Sequence, residues 1–524
     1  MTFIKEIFSG KATTHAAIFF ASVLFLLIFS TSTSPLYDSW GDDSAIFQAV
    51  GRGWAEGLLP YVDLFENKGP LIFLIDAIGY SIAPRVGIFL LQIPAMYLSF
   101  LLAWRSLGLF LSGKVKIAAA VFMFVHYAVY TLDGNRTEEW SMLFLMAATY
   151  FFLRGLKEEK FSCPPLYGFI YGVGFGACVL LRMLNAAPLC LCAFLSAVFL
   201  IQAGEFKTLL KNLLNFCAGA VIVVLPFVIY FAAHGALYDA LYGTILLNLN
   251  YSAQRGNFLM ENLDEYTIHI VVHFIPLFIM IAGGAIEFIK NKSRVALSTS
   301  FIGAVMLILF MKLSPYQGYY ALITPLLPIL FVVLADLQKI FRGLWSGQSF
   351  SLKRTVCKLL LITVAFYPLI LLRTIELKVV DNNSAKWREY HSEQNNAMLR
   401  IAQIIPPEER GSVMIWGEGT HVSHWILTTG IMPRCRFFSN IKAFANVDPN
   451  VKREWFENIS SNLPRWIIYS VTESEFSGDY PDDWTKNFRK NRDADVEELL
   501  KEKYSIEAET KTYQNFFWLY RLND

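Results

Sequence analysis

The sequence predicts a polytopic α-helical membrane protein that ends in a small α/β domain. Three observations predict it. Of 524 residues, 55% are hydrophobic and only 17% are charged, where soluble domains carry about 25% charged residues. Apolar stretches of roughly 20 residues, long enough to cross a bilayer, recur as far as about position 375. Beyond that point the chain turns polar, although the mean hydropathy of the whole is +0.42.

The spans are set by length and oriented by charge. About eleven helices meet the ~20-residue requirement. The first is expected near 14–33. It follows Lys5 and Lys11, and its apolar run from Ala16 to Ser30 is followed by no A-x-A cleavage site, so it is expected to stay as a span. The others are expected near 86–111, 117–132, 138–153, 165–181, 186–202, 213–233, 268–289, 295–312, 318–338 and 356–374. A long loop, 34–85, separates the first two spans and carries two amphipathic stretches near 44–57 and 70–83. The connections alternate. Lys5/Lys11, Lys114/Lys116, Arg154/Lys157/Lys160, Lys207/Lys211, Lys290/Lys292/Arg294 and Arg342/Lys353/Arg354 fall on one side. The positive-inside rule makes that side cytoplasmic. The same bias keeps 70–83, which carries Asp76, as a re-entrant or interfacial helix, because a further crossing would put Lys114 and Lys116 outside. The N-terminus is then inside and everything after Arg373 outside.

Two domains follow: a membrane module, 1–375, and an extracytoplasmic α/β domain, 376–524. In the second, a helix near 384–404 stops at Pro406-Pro407. Strand-like runs come at Val413–Trp416, Trp466–Ser470, Tyr504–Ala508 and Phe516–Tyr520. Of seven cysteines only Cys435 lies in this tail, which excludes a disulfide within it. A net charge of +2 says nothing about nucleic acid, and no basic block is dense enough to suggest such a partner, so none is expected. No P-loop and no G-x-G-x-x-G after a strand is present.

Charges at membrane depth are expensive and mark function by default. On the expected outer face they gather in four loops. The first contains Asp42 and Asp43, then Phe65-Glu-Asn-Lys-Gly-Pro70. The second reads Asp133-Gly-Asn-Arg-Thr-Glu-Glu-Trp140. The third carries Arg182 with Asn185. Another carries Lys312 and Tyr316-Gln-Gly-Tyr-Tyr320. Such a collection suits an anionic headgroup and a general base. Asp43, Lys68 and Glu138 stand in the densest polar patches. Arg52, Arg85 and Arg255 are better read as interfacial side chains snorkelling to water.

These residues resemble the GT-C superfamily of polyprenyl-phosphate-sugar-dependent glycosyltransferases. The similarity is to bacterial relatives of protein O-mannosyltransferases and of the lipid A aminoarabinose transferase, over roughly 14–340. Asp43, Phe47 and Val50 match the acid, aromatic and apolar pattern after the first span. Phe65–Pro70 resembles a Phe-Glu-Lys-Pro element with one inserted residue and Gly for the first Pro. Glu138 or Glu139 matches the second acidic position, and Lys312-Leu-Ser-Pro-Tyr316 a Lys-x-x-Pro-x-Tyr element. Arg182 stands where relatives often have a basic residue. The chain departs from the pattern by having Asp42-Asp43-Ser44 in place of an Asp-Glu pair.

The resemblance implies transfer of a sugar from a polyprenyl-phosphate donor to an extracytoplasmic glycolipid, surface glycan or protein. It implies Asp43 as general base and Glu138 as the second acid. It implies Lys68, Arg182, Lys312 and Arg136 as phosphate-side cations, with Asp42, Glu66, Glu139, Tyr316 and Tyr320 in support. The implied setting is the bacterial inner membrane, with membrane lipids, the lipid-linked sugar and the acceptor as partners. No cofactor is required by the motifs. A divalent metal would find its best ligand pair in His269 and His273, spaced i, i+4, although ordinary interfacial histidines are commoner at such a place. The competing reading is a membrane transporter or lipid flippase. That reading calls for midplane charges, broken helices and repeated halves, whereas here the polar groups sit mostly at one face and no repeat is found.

Overall fold

A computed structural model describes residues 7–254, 272–313, 316–344, 352–417, 421–439, 441–472, 498–512 and 515–523. The expected helices are present with shifted ends. They are α1 Ala12–Phe29, α2 Asp43–Ala55, α3 Pro70–Ile82, α4 Val86–Gly108, α5 Gly113–Tyr130, α6 Thr137–Lys157, α7 Pro165–Leu181, α8 Ala187–Gln202 and α9 Phe206–Ala233. A helical segment that the sequence did not announce comes next: α10 Leu237–Leu241, a π turn Tyr242–Leu246 and α11 Leu247–Gln254. Then come α12 Ile275–Asn291, α13 Arg294–Met311, a 3-10 stretch Gln317–Leu326, α14 Leu327–Leu344 and α15 Leu352–Asn382.

Seven of the described helices are long and apolar enough to span a membrane. The remaining expected spans, 138–153, 165–181, 268–289 and 356–374, fall on α6, α7, α12 and α15, outside that set. The chain is a multi-pass membrane protein. Helix α3 has 13 residues. At 1.5 Å per residue it reaches about 20 Å, short of the ~30 Å hydrocarbon core.

Contacts divide the chain into two compact units, and the division is not linear in sequence. One unit takes 1–30, 90–230 and 255–380. The other takes 31–89, 231–254 and 381–524, so the first long loop and the 231–254 segment pack with the polar tail.

The second unit is built around a four-stranded sheet of β1 Val413–Gly417, β2 Trp466–Thr472, β3 Tyr504–Lys511 and β4 Asn515–Leu522, in the order β1-β2-β4-β3. The first pair is parallel, with Ile415 opposite Ile468; the other pairs are antiparallel, with Tyr469 opposite Trp518. Helix α16, Ala385–Ile404, buries Ala397, Met398 and Ile401. Helix α17, His421–Thr429, sets Trp425 edge-on to Phe517 at 5.5 Å. Arg52 and Arg85, expected to snorkel to water, are instead structural ties. Arg52 donates to the Ile426 carbonyl at 2.9 Å, at the negative end of α17, and pairs with Glu56 at 2.8 Å. Arg85 donates to the Ser39 carbonyl at 3.2 Å and lies over the Trp40 ring. Arg255 lies outside the described residues.

Helices α2 and α3 cross closely enough to need a glycine. A Cβ on Gly51 would stand 2.5 Å from the Asp76 Cβ and 2.9 Å from the Ala77 nitrogen. Asp76 itself is fully buried at this crossing. Because backbone atoms are involved, the neighbours have no room to yield. Gly51→Ala should destabilise the protein by about 1–3 kcal/mol, whereas Gly411→Ala, with nothing within 4 Å of its Cβ, should be neutral. Thermal midpoints of the two detergent-solubilised variants decide it, and equal midpoints would refute the close crossing.

Candidate active site

In the second unit the polar residues collect where α2 begins and the loop before α3 ends. Asp42 is the N-cap of α2 and is exposed; Asp43 is its first residue and half-buried. A carboxylate there meets the positive end of the helix. Lys68 is held by the Asn67 side-chain oxygen at 2.7 Å and by Glu66 at 3.4 Å, with its ammonium 5.9 Å from the centre of the Phe47 ring. Glu66 is 1% exposed, and its Oε2 accepts no hydrogen bond among the described residues. Burial raises the pKa of its carboxyl above the ordinary value; Lys68 opposes that rise and Asp43 adds to it.

The segment that holds this loop is the one that sequence reading passed over. Asn248 on α11 donates to the Asn67 carbonyl at 2.7 Å, and Thr244 in the π turn donates to the Tyr61 hydroxyl at 3.2 Å. Tyr61 in turn donates to the Lys68 carbonyl at 2.7 Å. Single π turns recur at functional sites. From the tail, Arg436 donates to Asp239 at 2.8 Å and to Glu454 at 2.6 Å, and its carbonyl accepts from the Phe65 amide at 2.8 Å. His424 donates from Nε2 to the Gly41 carbonyl at 2.8 Å, beside Asp42.

In the first unit a second group forms where α5 turns into α6. Leu132, Gly134 and Asn135 all have positive φ. Only glycine fits the middle position, since a Cβ there would lie 2.0 Å from the Ser30 hydroxyl. Glu139 is locked inside this turn: it accepts from Gln92 at 2.7 Å and from the Asn135 amide at 3.0 Å. Arg136 caps α6 and pairs with Asp133 at 2.5 Å. Glu138 pairs with Arg182, the C-cap of α7, at 2.9 Å. Glu138 and Glu139 both stand in the first turn of α6, where the helix dipole favours anions.

Two tyrosines complete this group. Arg136 donates to the Tyr316 hydroxyl and lies over its ring; Arg182 donates to the Tyr319 hydroxyl and lies 4.3 Å from its ring centre. The two rings meet edge to face at 5.0 Å. The sequence pointed to Tyr316 and Tyr320. Tyr320 is buried among Tyr130, His273, Phe274 and Phe310, and it is the neighbouring Tyr319 that meets Arg182. Lys312, the C-cap of α13, is exposed.

Of the histidine pair, His269 lies outside the described residues. His273 is hydrogen-bonded through Nδ1 to the Tyr130 hydroxyl at 2.9 Å and stacks on Tyr320. Among the described residues no three His, Cys, Asp or Glu side chains gather to hold a metal ion.

A double-mutant cycle on Glu138→Gln and Arg182→Gln should give a coupling of about 1–2 kcal/mol in thermal stability; additive effects would show that the pair is not formed. For Glu66 the sign follows from its raised pKa. The folded state favours the neutral carboxyl, so its stabilising contribution is complete below the ordinary value of 4.5 and is lost as pH rises through the raised value. The wild-type thermal midpoint should therefore fall more steeply with rising pH than that of Glu66→Gln. Parallel curves would contradict this.

Residues 67–231 match the family described as dolichyl-phosphate-mannose-protein mannosyltransferase. The match takes in Lys68, Arg136, Glu138, Glu139 and Arg182. A search of curated proteins finds no match. Among solved structures, the chain is similar to the oligosaccharyltransferase of Archaeoglobus fulgidus. For the form tethered by a disulfide to an acceptor peptide containing the NVT sequon, the TM-score is 0.51 at 12% identity, over 97% of this chain and 74% of that one. For the apo form it is 0.48 at 13%, over 87% and 70%. For the form with Zn and sulfate it is 0.45 at 13%, over 86% and 68%. The likeness to this family thus lies in residues 67–231, and the likeness to the tethered form of the oligosaccharyltransferase is one of fold.

Proposed function

We propose that this chain is a membrane glycosyltransferase that takes its sugar from a polyprenyl-phosphate donor and passes it to a hydroxyl or amine of an extracytoplasmic glycolipid, surface glycan or protein. The observation that carries the reading is the pair of arginines in the first unit. Arg136 meets Asp133 and the Tyr316 hydroxyl, and Arg182 meets Glu138 and the Tyr319 hydroxyl. The planar guanidinium fork matches phosphate oxygens in geometry and charge. Lys312, exposed after α13, is assigned to the same task. The candidate charges stand at helix ends, which suits a catalytic surface better than a transporter's midplane path.

The chemistry is one displacement. The acceptor heteroatom attacks the anomeric carbon, and the bond from that carbon to the phosphate oxygen breaks with its electron pair. The acceptor proton passes to the Asp43 carboxylate. Cations stabilise the negative charge that grows on the leaving phosphate. Phosphate leaves without protonation, so no general acid is needed, and a single displacement inverts the anomeric centre. Asp43 is assigned as base because it is half-buried at a helix start. Glu66 holds Lys68, and Glu138 holds Arg182. Asp42 and Glu139 act in support. The reading includes a bacterial inner-membrane setting, with the N-terminus in the cytoplasm and the α/β domain outside.

Asp43→Asn should abolish transfer from a polyprenyl-phosphate sugar, with a loss of at least about a hundredfold in rate, while the purified variant keeps its thermal midpoint. Turnover near wild type would remove Asp43 from the role of base.

A further inference from the structure

A cation that no motif marked lies beside the first unit's polar group. Lys378 is near the end of α15, beyond the expected span 356–374, and its side chain is partly exposed. An ammonium carries three N–H donors. Among the described residues it makes one hydrogen bond, to the Ala128 carbonyl of α5 at 3.4 Å, which is beyond the usual range. Its other close neighbour is the Phe29 ring of α1, centred 5.8 Å away.

The charged groups that act on Lys378 are Asp133, Arg136 and Glu139. Both carboxylates are engaged elsewhere. Asp133 pairs with Arg136 at 2.5 Å, and Glu139 accepts from Gln92 and from the Asn135 amide. No carboxylate among the described residues stands within ion-pairing distance of Lys378 itself. An ammonium drawn out of bulk water onto an aromatic ring, with one long hydrogen bond, costs free energy unless something else compensates it.

We propose that Lys378 binds the phosphate of the lipid-linked donor alongside Arg136, so that the last membrane helix contributes to the donor site. This rests on the donor class proposed above. The ligand's charge explains why a second cation is useful. A sugar–phosphate–prenyl diester carries one negative charge. The prenyl monophosphate left after transfer carries close to two. A cation that the protein itself does not pair gains most as that charge grows, which is differential binding of the kind that accelerates the step.

The test uses the full-length protein in nanodiscs, with farnesyl phosphate and farnesol as probes. Wild type should bind farnesyl phosphate more tightly than farnesol. Lys378→Met should weaken farnesyl phosphate by roughly tenfold or more and leave farnesol unchanged. Lys378→Arg should restore most of the loss. The thermal midpoint of Lys378→Met without ligand should not fall. Unchanged affinity for farnesyl phosphate in Lys378→Met would overturn the inference, and equal losses for both probes would do the same by showing a structural role. A wild type with no preference for farnesyl phosphate would instead overturn the donor class, and this inference with it.

Discussion

Charge burial beside apolar helices governs how this chain is arranged. An unpaired charge in such surroundings costs several kcal/mol, and the fold meets that cost pair by pair. Arg136 has Asp133, Arg182 has Glu138, and Lys68 has Glu66. Helix ends then share the load. The anions stand at the positive ends of α2 and α6, and Arg182 caps the negative end of α7. Pairs so placed hold cations at helix ends, where an anionic ligand could be met.

The polar tail belongs to this arrangement too. Arg436 ties the Phe65 loop to Asp239 and Glu454, and His424 fixes the Gly41 carbonyl just before Asp42 and Asp43. The C-terminal domain is thus part of the same compact unit as the first long loop. That gives the tail a structural reason to exist: it sets the backbone on which the proposed base stands.

Much of this was legible in the sequence. Apolar run length located most of the helices, because burial in lipid tolerates few alternatives to a helix of that length. Alternating apolar runs and turn residues located all four strands of the tail. The clusters around Asp43, Lys68, Glu138 and Arg182 were legible because polar groups are conspicuous against an apolar background. The rest was hidden for physical reasons. The segment 237–254 is short, mixed in polarity and partly π-helical, so no regular period announces it. Tyr319 and Tyr320 are neighbours, and only the turn of the 3-10 stretch decides which one meets Arg182. Lys378 belongs to no motif, and its neighbours Ala128, Asp133 and Glu139 are some 240 to 250 positions away in sequence. The grouping of 31–89 with the tail depends on contacts of the same long range.

The central claim is that this chain moves a sugar from a lipid phosphate onto a surface acceptor. Mass spectrometry of surface glycolipids and glycoproteins, from cells with and without the gene, tests it most directly. The account predicts the loss of one sugar residue, of a hexose, pentose or amino-sugar mass, from a defined acceptor. An unchanged glycome, with altered movement of a lipid or solute across the membrane instead, would contradict it.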